Sequence, residues 1–310
     1  MTNKVRGLTL QKIPFHIISG FLGSGKTTFL KRVVEKYASE IKIGIIQNEF
    51  APANIDGAEL KKAGADFQLL EINNGSVFCV CLMGSFVRSL EKFIDDYQPE
   101  LLIIEASGLS DTTAISEVVS AGSLSSKIYL ASNWCVVDAL NFERAGLMKQ
   151  RVTHQLRMAD VVVINKTDLA PHGTDDIIKE VKKVNPFAEI VTSVFCNIDF
   201  ELRNSALNKF YFGEIKAMSR PDVNSMVINS TRKMSYHSLQ QFLNEWAPKA
   251  YRIKGFTNLT NGKTVAVQCT PGSVEIFETE NGVHPTELVA ISDVFTLREW
   301  NKAFKEISTR

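Results

Sequence analysis

The sequence predicts an α/β fold, with a doubly wound and mostly parallel sheet followed by a smaller C-terminal α+β domain. Two observations support this prediction in the 310-residue chain. Up to residue 193, short β-rich runs alternate with helical stretches. Beyond residue 222, short strand-like runs follow one another closely, with a helix-like segment near each end. Strands that alternate with helices form right-handed crossovers, and therefore a parallel sheet.

The strand-like runs of the first part are apolar over several consecutive residues, as in LLIIEA and DVVVIN. Such runs are typical of strands that are buried on both faces of a parallel sheet. The predicted strands cover residues 13–19, 41–48, 67–73, 101–106, 133–139, 160–165 and 188–193. The predicted helices cover residues 26–39, 84–97, 111–120, 148–158 and 174–184.

The pattern changes between residues 195 and 222, which we interpret as the end of one domain and a linker. The predicted division is a polar tail over 1–12, a first domain over 13–200, a linker over 201–222 and a second domain over 223–310. In the second domain we predict strands 225–230, 251–257, 263–269, 273–278 and 287–292, and helices 235–247 and 295–307. The Asn-Gly pairs at 261–262 and 281–282 predict hairpin turns between strands.

Composition and charge exclude several classes of protein. Lys and Arg number 35 against 34 Asp and Glu, so the net charge of +1 gives no electrostatic case for nucleic acid or an anionic membrane. No apolar run reaches the roughly 18–20 residues that a membrane span requires, and the N-terminus lacks the features of a signal peptide. The chain has five cysteines, an odd number in a sequence too long to need disulfides, so we expect a reducing cytoplasm.

The segment Gly20–Thr27, GFLGSGKT, matches the phosphate-loop motif G-x-x-x-x-G-K-[ST] between a predicted strand and a predicted helix. The glycines allow backbone amides to surround a phosphate at the positive end of the helix. We expect Lys26 to reach the β- and γ-phosphates, Thr27 to ligate Mg²⁺ and Thr28 to contact the α-phosphate. The predicted phosphate-binding residues are Gly23, Ser24, Gly25, Lys26, Thr27 and Thr28.

The tetrad Asn165-Lys166-Thr167-Asp168 follows the apolar strand VVVI, at the edge where parallel sheets bind their ligands. The Asp168 carboxylate can accept two hydrogen bonds from guanine, and adenine offers no matching pair of donors. A mismatch that leaves a charged acceptor unpaired discriminates strongly. We expect Asn165 to brace the loop and touch the base, and the Lys166 stem to lie along the ring. The motif therefore favours GTP over ATP.

Two acidic positions complete the predicted catalytic set. Glu105 ends a strand and is expected to hold Mg²⁺ through water, and Gly108 is placed to sense the γ-phosphate. Glu49 lies in a loop that faces the γ-phosphate, where it can position water or bind a metal. The alternatives are a strand-capping role for Glu105 and a solvated loop carboxylate for Glu49. The predicted catalytic residues are Lys26, Glu49, Glu105 and Gly108.

Taken in order, several motifs resemble those of the CobW-related GTPases, which belong with the HypB and UreG type of metal-centre assembly proteins. They are GFLGSGKTT, QNEF, EINNG, EASGL, VVDA, INKTDL, NPFAEI and RIKG, and they span nearly the whole chain. The resemblance implies a P-loop GTPase that handles zinc, cobalt or iron for a client metalloenzyme or cofactor-assembly protein. The resemblance is also compatible with a dimer that forms in a nucleotide-dependent way.

The sequence departs from the family at the metal motif, usually G-C-x-C-C. Here Ser76 and Phe78 occupy the first two cysteine positions, and only Cys79 matches, with Cys81 as an additional thiol. Two thiolates at i and i+2 of a strand point to the same side and can bind zinc or another transition metal. By resemblance, Glu49 is a further ligand. The alternative is that both cysteines are small buried residues before a helix.

The sequence therefore predicts a slow GTPase that acts as a metallochaperone or metalloenzyme activator. Nucleotide hydrolysis is expected to move residues 47–56 and 71–84. The alternative is a nucleotide-dependent regulator or client remodeller that carries no metal. A P-loop kinase for a small molecule is disfavoured because it gives no reason for the N-K-T-D tetrad.

Overall fold

The computed structural model describes residues 12–48, 67–72, 80–106, 118–119, 123–142, 149–170, 173–202, 224–270, 273–279 and 285–309. The strands of the first part are β1 (Ile13–Gly20), β2 (Ile43–Asn48), β3 (Phe67–Ile72), β4 (Leu101–Glu105), β5 (Ile128–Asp138), β6 (Val161–Asn165) and β7 (Glu189–Thr192). The helices are α1 (Lys26–Tyr37), α2 (Val80–Tyr97), α3 (Leu124–Lys127), α4 (Lys149–Met158) and α5 (Asp175–Val184). No helix within the described ranges is long and apolar enough to cross a membrane.

The first part forms one seven-stranded sheet in the order β3-β2-β4-β1-β5-β6-β7. Every neighbouring pair is parallel, which confirms the predicted doubly wound architecture. Glu105 is paired in register with Ile18 of β1, and Asp138 is paired with Asn165 of β6. The C-terminal ends of β1, β4, β5 and β6 therefore lie along one edge, the edge at which such sheets bind ligands.

The apolar runs of β1 are explained by burial on both faces of the sheet. Ile18 packs in a cluster with Phe29 of α1, whereas Ile17 packs in a second cluster with Leu90 of α2. Consecutive residues of a strand point to opposite faces, so a strand covered on both sides needs apolar residues at successive positions. The α1 side of the sheet carries the phosphate loop that precedes this helix.

The second part is a five-stranded antiparallel sheet in the order β11-β10-β9-β12-β8. Its elements are β8 (Asn224–Ser230), α6 (Tyr236–Trp246), β9 (Arg252–Asn258), β10 (Thr264–Thr270), β11 (Ser273–Glu278), β12 (Thr286–Ser292) and α7 (Leu297–Ile307). Trp246 of α6 and Trp300 of α7 are buried in the core of this domain. Thr296 and Glu299 form a capping box that begins α7.

Several predicted boundaries differ from the structure. β5 begins at Ile128, earlier than predicted, and α3 was not predicted. The predicted turn at Asn261-Gly262 is confirmed, because Gly262 has φ 85° between the antiparallel strands β9 and β10. The hairpin at 281–282 was wrong, because β10 and β9 separate β11 from β12 in the sheet.

Other boundary predictions fall partly or wholly outside the described residues. Of the predicted helix 111–120, only residues 118–119 are described, and both are helical. The linker prediction, 201–222, lies outside the described residues from position 203 onward. The division of the chain at residues 200 and 223 stays a prediction.

A largely buried ion cluster joins the two sheets. Asp160, between α4 and β6, accepts from Lys254 Nζ at 2.8 Å and lies 2.9 Å from Arg252 Nη1, both on β9. A second contact between the two sheets is made by the rings of Tyr129 on β5 and Phe277 on β11, which are 5.6 Å apart. Burial by itself raises the pKa of Asp160, but the charges of Arg252 and Lys254 outweigh burial and hold it below its ordinary value. The two sheets are therefore joined by ion pairs as well as by an aromatic contact.

Candidate nucleotide-binding site

The phosphate loop connects the end of β1 to the first residue of α1. Gly20 has φ 136° and Gly25 has φ 110°, a region that favours glycine. A Cβ at Gly20 would lie 2.1 Å from the carbonyl oxygen of Val136, and a Cβ at Gly25 would lie 2.4 Å from Asn165 Nδ2. Both positions are therefore restricted to glycine by conformation and by close approach. The loop wraps around the N-terminus of α1, where free backbone amides favour an anion.

Lys26 is held inside this loop. Its side chain is 7% exposed, and Nζ donates to the carbonyl oxygen of Phe21 at 3.0 Å. Burial lowers the pKa of Lys26, and the nearby charge of Glu105 partly opposes this effect. A buried ammonium group beside the helix N-terminus provides a second positive element for a phosphate.

Thr27 and Glu105 meet at the sheet edge. Thr27 Oγ1 donates to Glu105 Oε1 at 2.8 Å, and Gln47 Nε2 donates to Glu105 Oε2 at 3.0 Å. A hydroxyl and a carboxylate are the hard oxygen ligands that Mg²⁺ prefers, so this pair fits the predicted metal. Gln47 was not among the predicted site residues, although the pairing of β2 with β4 sets it opposite Glu105. Thr28 follows on α1 and is half-buried.

Asn165, at the end of β6, connects the phosphate loop to the N-K-T-D turn, residues 165–168, which we call the base loop. Its side chain is 2% exposed, and Nδ2 donates to the carbonyl oxygen of Ser24 at 2.9 Å. Its Oδ1 accepts from Ser193 Oγ at 3.1 Å and from the backbone N–H of Cys196 at 2.9 Å. The side-chain amide thus holds three segments together.

Lys166 has φ 62°, and its Nζ donates to Asp138 Oδ2 at 2.7 Å. Asp138 ends β5 and also accepts from the backbone N–H and the side chain of Asn141. Burial by itself raises the pKa of Asp138, but hydrogen bonds from Lys166 and Asn141 outweigh it and lower the pKa below its ordinary value. Asp138 fixes the direction of the Lys166 stem. Asp138 is the acidic residue of the VVDA motif, and the sequence alone does not predict this role for it.

Asp168 follows Lys166 by two positions, in a 3₁₀ turn at Thr167–Leu169, and its side chain is exposed. An exposed carboxylate at the same sheet edge as the phosphate loop is accessible to the base of a bound nucleotide. The turn that carries Asp168 is held in place by Thr167, whose N–H and hydroxyl both donate to the carbonyl oxygen of Ser193.

The segment that follows β7 also belongs to the site, although it was not among the predicted site residues. Ser193 and Cys196 both bond to Asn165, and Cys196 Sγ lies 3.4 Å from the carbonyl oxygen of Gly25. Burial raises the pKa of the Cys196 thiol to about 12, opposed in part by the charges of Arg32 and Lys166. The available signal was the polar Thr-Ser pair at the end of the last parallel strand, at the ligand-binding edge.

Several predicted site residues lie outside the described part of the chain. They are Glu49, Cys79 and Gly108. The expectation that both thiols lie on a strand was wrong for Cys81, because α2 already begins at Val80 and Cys81 belongs to its first turn; its side chain is not described. Within the described residues, no three or more His, Cys, Asp or Glu side chains form a group able to hold a metal ion. The predicted transition-metal site therefore stays a prediction.

A glycine loop at the first strand, a lysine and a threonine that begin the next helix, and an N-K-T-D turn at the same edge define a P-loop nucleotide-binding protein. Residues 14–192 match the family model described as "CobW/HypB/UreG, nucleotide-binding domain". Residues 223–307 match the "Cobalamin synthesis protein cobW C-terminal domain". The chain belongs to the CobW/HypB/UreG family, which confirms the resemblance seen in its motifs.

Two curated relatives are 32% identical to this chain. "Zinc chaperone CobW" from Sinorhizobium sp matches over 186 residues, 51% of this chain and 52% of the relative. "Zinc chaperone YeiR" from Escherichia coli K12 matches over 154 residues, 49% of this chain and 46% of the relative. The matched part of the chain thus spans about half the length of these curated relatives.

The crystal structure of Zn(II)-bound YjiA GTPase from E. coli superposes with a TM-score of 0.65 at 19% identity, over 97% of this chain and 100% of that one. At this level of identity the match shows a common fold. It extends over both the parallel sheet and the antiparallel C-terminal domain.

Proposed function

We propose that the protein binds GTP with Mg²⁺, hydrolyses it slowly, and uses the nucleotide state to deliver a metal ion to a client metalloenzyme or cofactor-assembly protein. One observation carries the nucleotide part of this proposal. Asn165 bonds to the carbonyl oxygen of Ser24, so the loop that would read the base and the loop that would hold the phosphates form one unit.

At the phosphates, the amides of residues 23–25 and the Lys26 ammonium would offset the negative charge that develops as water attacks the γ-phosphorus. Thr27 and Glu105 would hold Mg²⁺, which supplies positive charge to the β- and γ-phosphate oxygens when bound. Thr28 would contact the α-phosphate. We assign Gly108 to sensing the γ-phosphate, and Glu49 either to positioning the water or to ligating the transported metal.

Calorimetry with GTP and Mg²⁺ tests the nucleotide assignment. We expect a heat of binding for GTP and a much weaker signal for ATP, because Asp168 selects guanine. Asp168→Asn should weaken GTP binding about 10- to 100-fold, the loss expected for a hydrogen bond to a charged group, and improve xanthosine triphosphate binding. Equal affinity of the parent for GTP and ATP, or no heat with GTP, would overturn the assignment.

For the transported metal we propose zinc, with Cys79, Cys81 and Glu49 as ligands and the client supplying the remainder. Two relatives are named zinc chaperones, and thiolates are good ligands for zinc. Equilibrium dialysis of the parent and of Cys79→Ser/Cys81→Ser, with and without GTP, tests this. Identical weak zinc binding by the two proteins in both states would contradict direct metal carriage.

We place this activity in the cytoplasm. Among the described residues, Cys135, Cys196 and Cys269 are free and buried thiols, which agrees with a reducing compartment. The same setting suits a thiolate metal site, which needs reduced cysteines. A nucleotide-dependent dimer is part of this proposal, and sedimentation with GDP and with a non-hydrolysable GTP analogue tests it.

The second candidate is a nucleotide-dependent regulator that carries no metal. The observation that favours it is Ser76 and Phe78 at two cysteine positions of the family motif. The two candidates differ in how GTP hydrolysis responds to metal. A regulator predicts the same rate with and without Zn²⁺, Co²⁺ or Fe²⁺, whereas a metallochaperone predicts a change of rate with its own metal.

A further inference from the structure

An aromatic side chain stands exposed next to the base loop. Phe195 is 70% exposed, although Cys196 and Phe200, a few residues on, are buried. Phe195 has φ 51° and Cys196 has φ 52°. A bulky residue in the left-handed region is a genuine outlier, and such strain persists only where the surroundings enforce it. The backbone therefore holds the Phe195 ring out of the core.

Hydrogen bonds fix the chain on both sides of Phe195. Before it, Ser193 N–H donates to the carbonyl oxygen of Ile164 at 2.8 Å, and Thr167 N–H donates to the carbonyl oxygen of Ser193 at 3.2 Å. After it, Cys196 N–H donates to Asn165 Oδ1 at 2.9 Å. Phe195 is thus anchored to the strand end and the turn that carry the N-K-T-D tetrad.

The same segment also touches the phosphate loop. Cys196 Sγ lies 3.4 Å from the carbonyl oxygen of Gly25, and Asn165 bonds to the carbonyl oxygen of Ser24. Phe195 is therefore attached to the two loops between which a nucleotide would lie, and its ring remains open to solvent. A rigid backbone with an exposed aromatic ring is suited to stacking on a planar ligand.

We propose that the ring of Phe195 is a stacking surface for the purine base of the bound nucleotide. This inference rests on the proposed nucleotide-binding function and adds a residue to it. Every base has a π-face, so stacking raises affinity without reading base identity. Phe195 would therefore strengthen binding of any purine nucleotide, whereas Asp168 selects guanine among them.

Phe195→Ala tests the proposal by calorimetry with GDP, inosine diphosphate and inorganic tripolyphosphate. We expect Kd to rise about 5- to 100-fold for both nucleotides, by a common factor, because both lose the same stacking contact. The Kd for tripolyphosphate, which has no base, should not change. The matched control is Tyr236→Ala, which removes a 50% exposed aromatic ring at the start of α6 and should leave all three values unchanged.

Two further variants separate stacking from folding. Phe195→Gly relieves the left-handed strain, so it should unfold at the same temperature as the parent or higher, yet bind GDP as weakly as Phe195→Ala. Phe195→Trp should retain affinity, and guanine should quench its added emission, since Trp134, Trp246 and Trp300 are buried.

The outcomes distinguish this inference from the function on which it rests. If the parent binds GDP and Phe195→Ala binds it within twofold of the parent, the stacking role is wrong and the nucleotide site stands. An equal loss of tripolyphosphate affinity in Phe195→Ala would likewise overturn it, because the phosphate loop would then be damaged. Failure of the parent itself to bind GDP would overturn the proposed function first.

Discussion

Nδ2 of Asn165 donates a hydrogen bond to the carbonyl oxygen of Ser24 at 2.9 Å, across 141 positions of sequence. This contact places the end of β6 directly on the phosphate loop. Its donor and acceptor are both buried, so the contact excludes water from the junction of the two loops. The side chain of Asn165 therefore links the two loops directly.

Asn165→Ala should destabilise the protein by about 1–3 kcal/mol, because buried groups of Ser24, Ser193 and Cys196 lose their partner. It should also weaken GDP binding. Urea denaturation and calorimetry measure the two effects. Asn197→Ala, at an exposed position nearby, is the control and should change neither quantity. Equal midpoints for the two variants would contradict the bracing role.

Asp138→Asn should weaken nucleotide binding and stability together, because Lys166 loses its charged partner. The stability effect depends on pH. The folded pKa of Asp138 lies below its ordinary value of 3.8, so the carboxylate contributes stability at pH values above 3.8 and loses it as pH falls through the folded pKa. The difference in unfolding free energy between the parent and the variant should have its largest value at pH 6 and should become smaller as the pH falls below 3.8.

Denaturant unfolding of the parent and of Asp138→Asn, from pH 6 to acid below pH 3.8, tests whether the difference in unfolding free energy shrinks on acidification. A difference that grows as the solution is acidified would show that Asp138 does not contribute through its ionised form.

Glu105→Gln should lower the Mg²⁺-dependent part of GTP affinity and the rate of hydrolysis, because a neutral amide is a poorer ligand for Mg²⁺ than a carboxylate. GDP binding measured in EDTA should change little. Glu245→Gln, on the exposed face of α6, is the charge-matched control. If Glu105→Gln and the parent respond identically to titration with Mg²⁺, Glu105 only caps its strand.

Asp160→Asn should be strongly destabilising, by about 3–5 kcal/mol, since it removes the negative charge that pairs with the cations of Arg252 and Lys254 in a largely buried cluster. Glu278→Gln breaks an exposed ion pair with Lys263 and should cost at most about 1 kcal/mol. Chemical denaturation of both variants makes the comparison. Similar midpoints would mean that the ion cluster contributes no more than a surface pair.

Much of the first domain could be predicted from the sequence, because its strands are buried on both faces and its motifs are local. The run VVVIN and the loop GFLGSGKT each carry their signal within a few consecutive residues. The start of β5 was missed because the polar pair Ser132-Asn133 interrupts the apolar run. Its pairing with β1 extends the strand.

In the second domain the helices and strands were predicted, but one of the predicted turns was wrong. The second Asn-Gly pair resembles a hairpin turn locally, but β12 pairs with β9 and β8 in the sheet. Strand order is set by contacts between distant residues, which a turn motif does not report.

The sequence by itself determined the parallel fold, the phosphate loop and the N-K-T-D turn, because each depends on residue types at short and regular spacing. Only the tertiary structure decided that Asp138 holds Lys166, that Gln47 reaches Glu105, and that Phe195 stands exposed beside the base loop. Each of these contacts joins the ends of different strands. Parallel pairing brings such ends to one edge of the sheet, however far apart they lie along the chain.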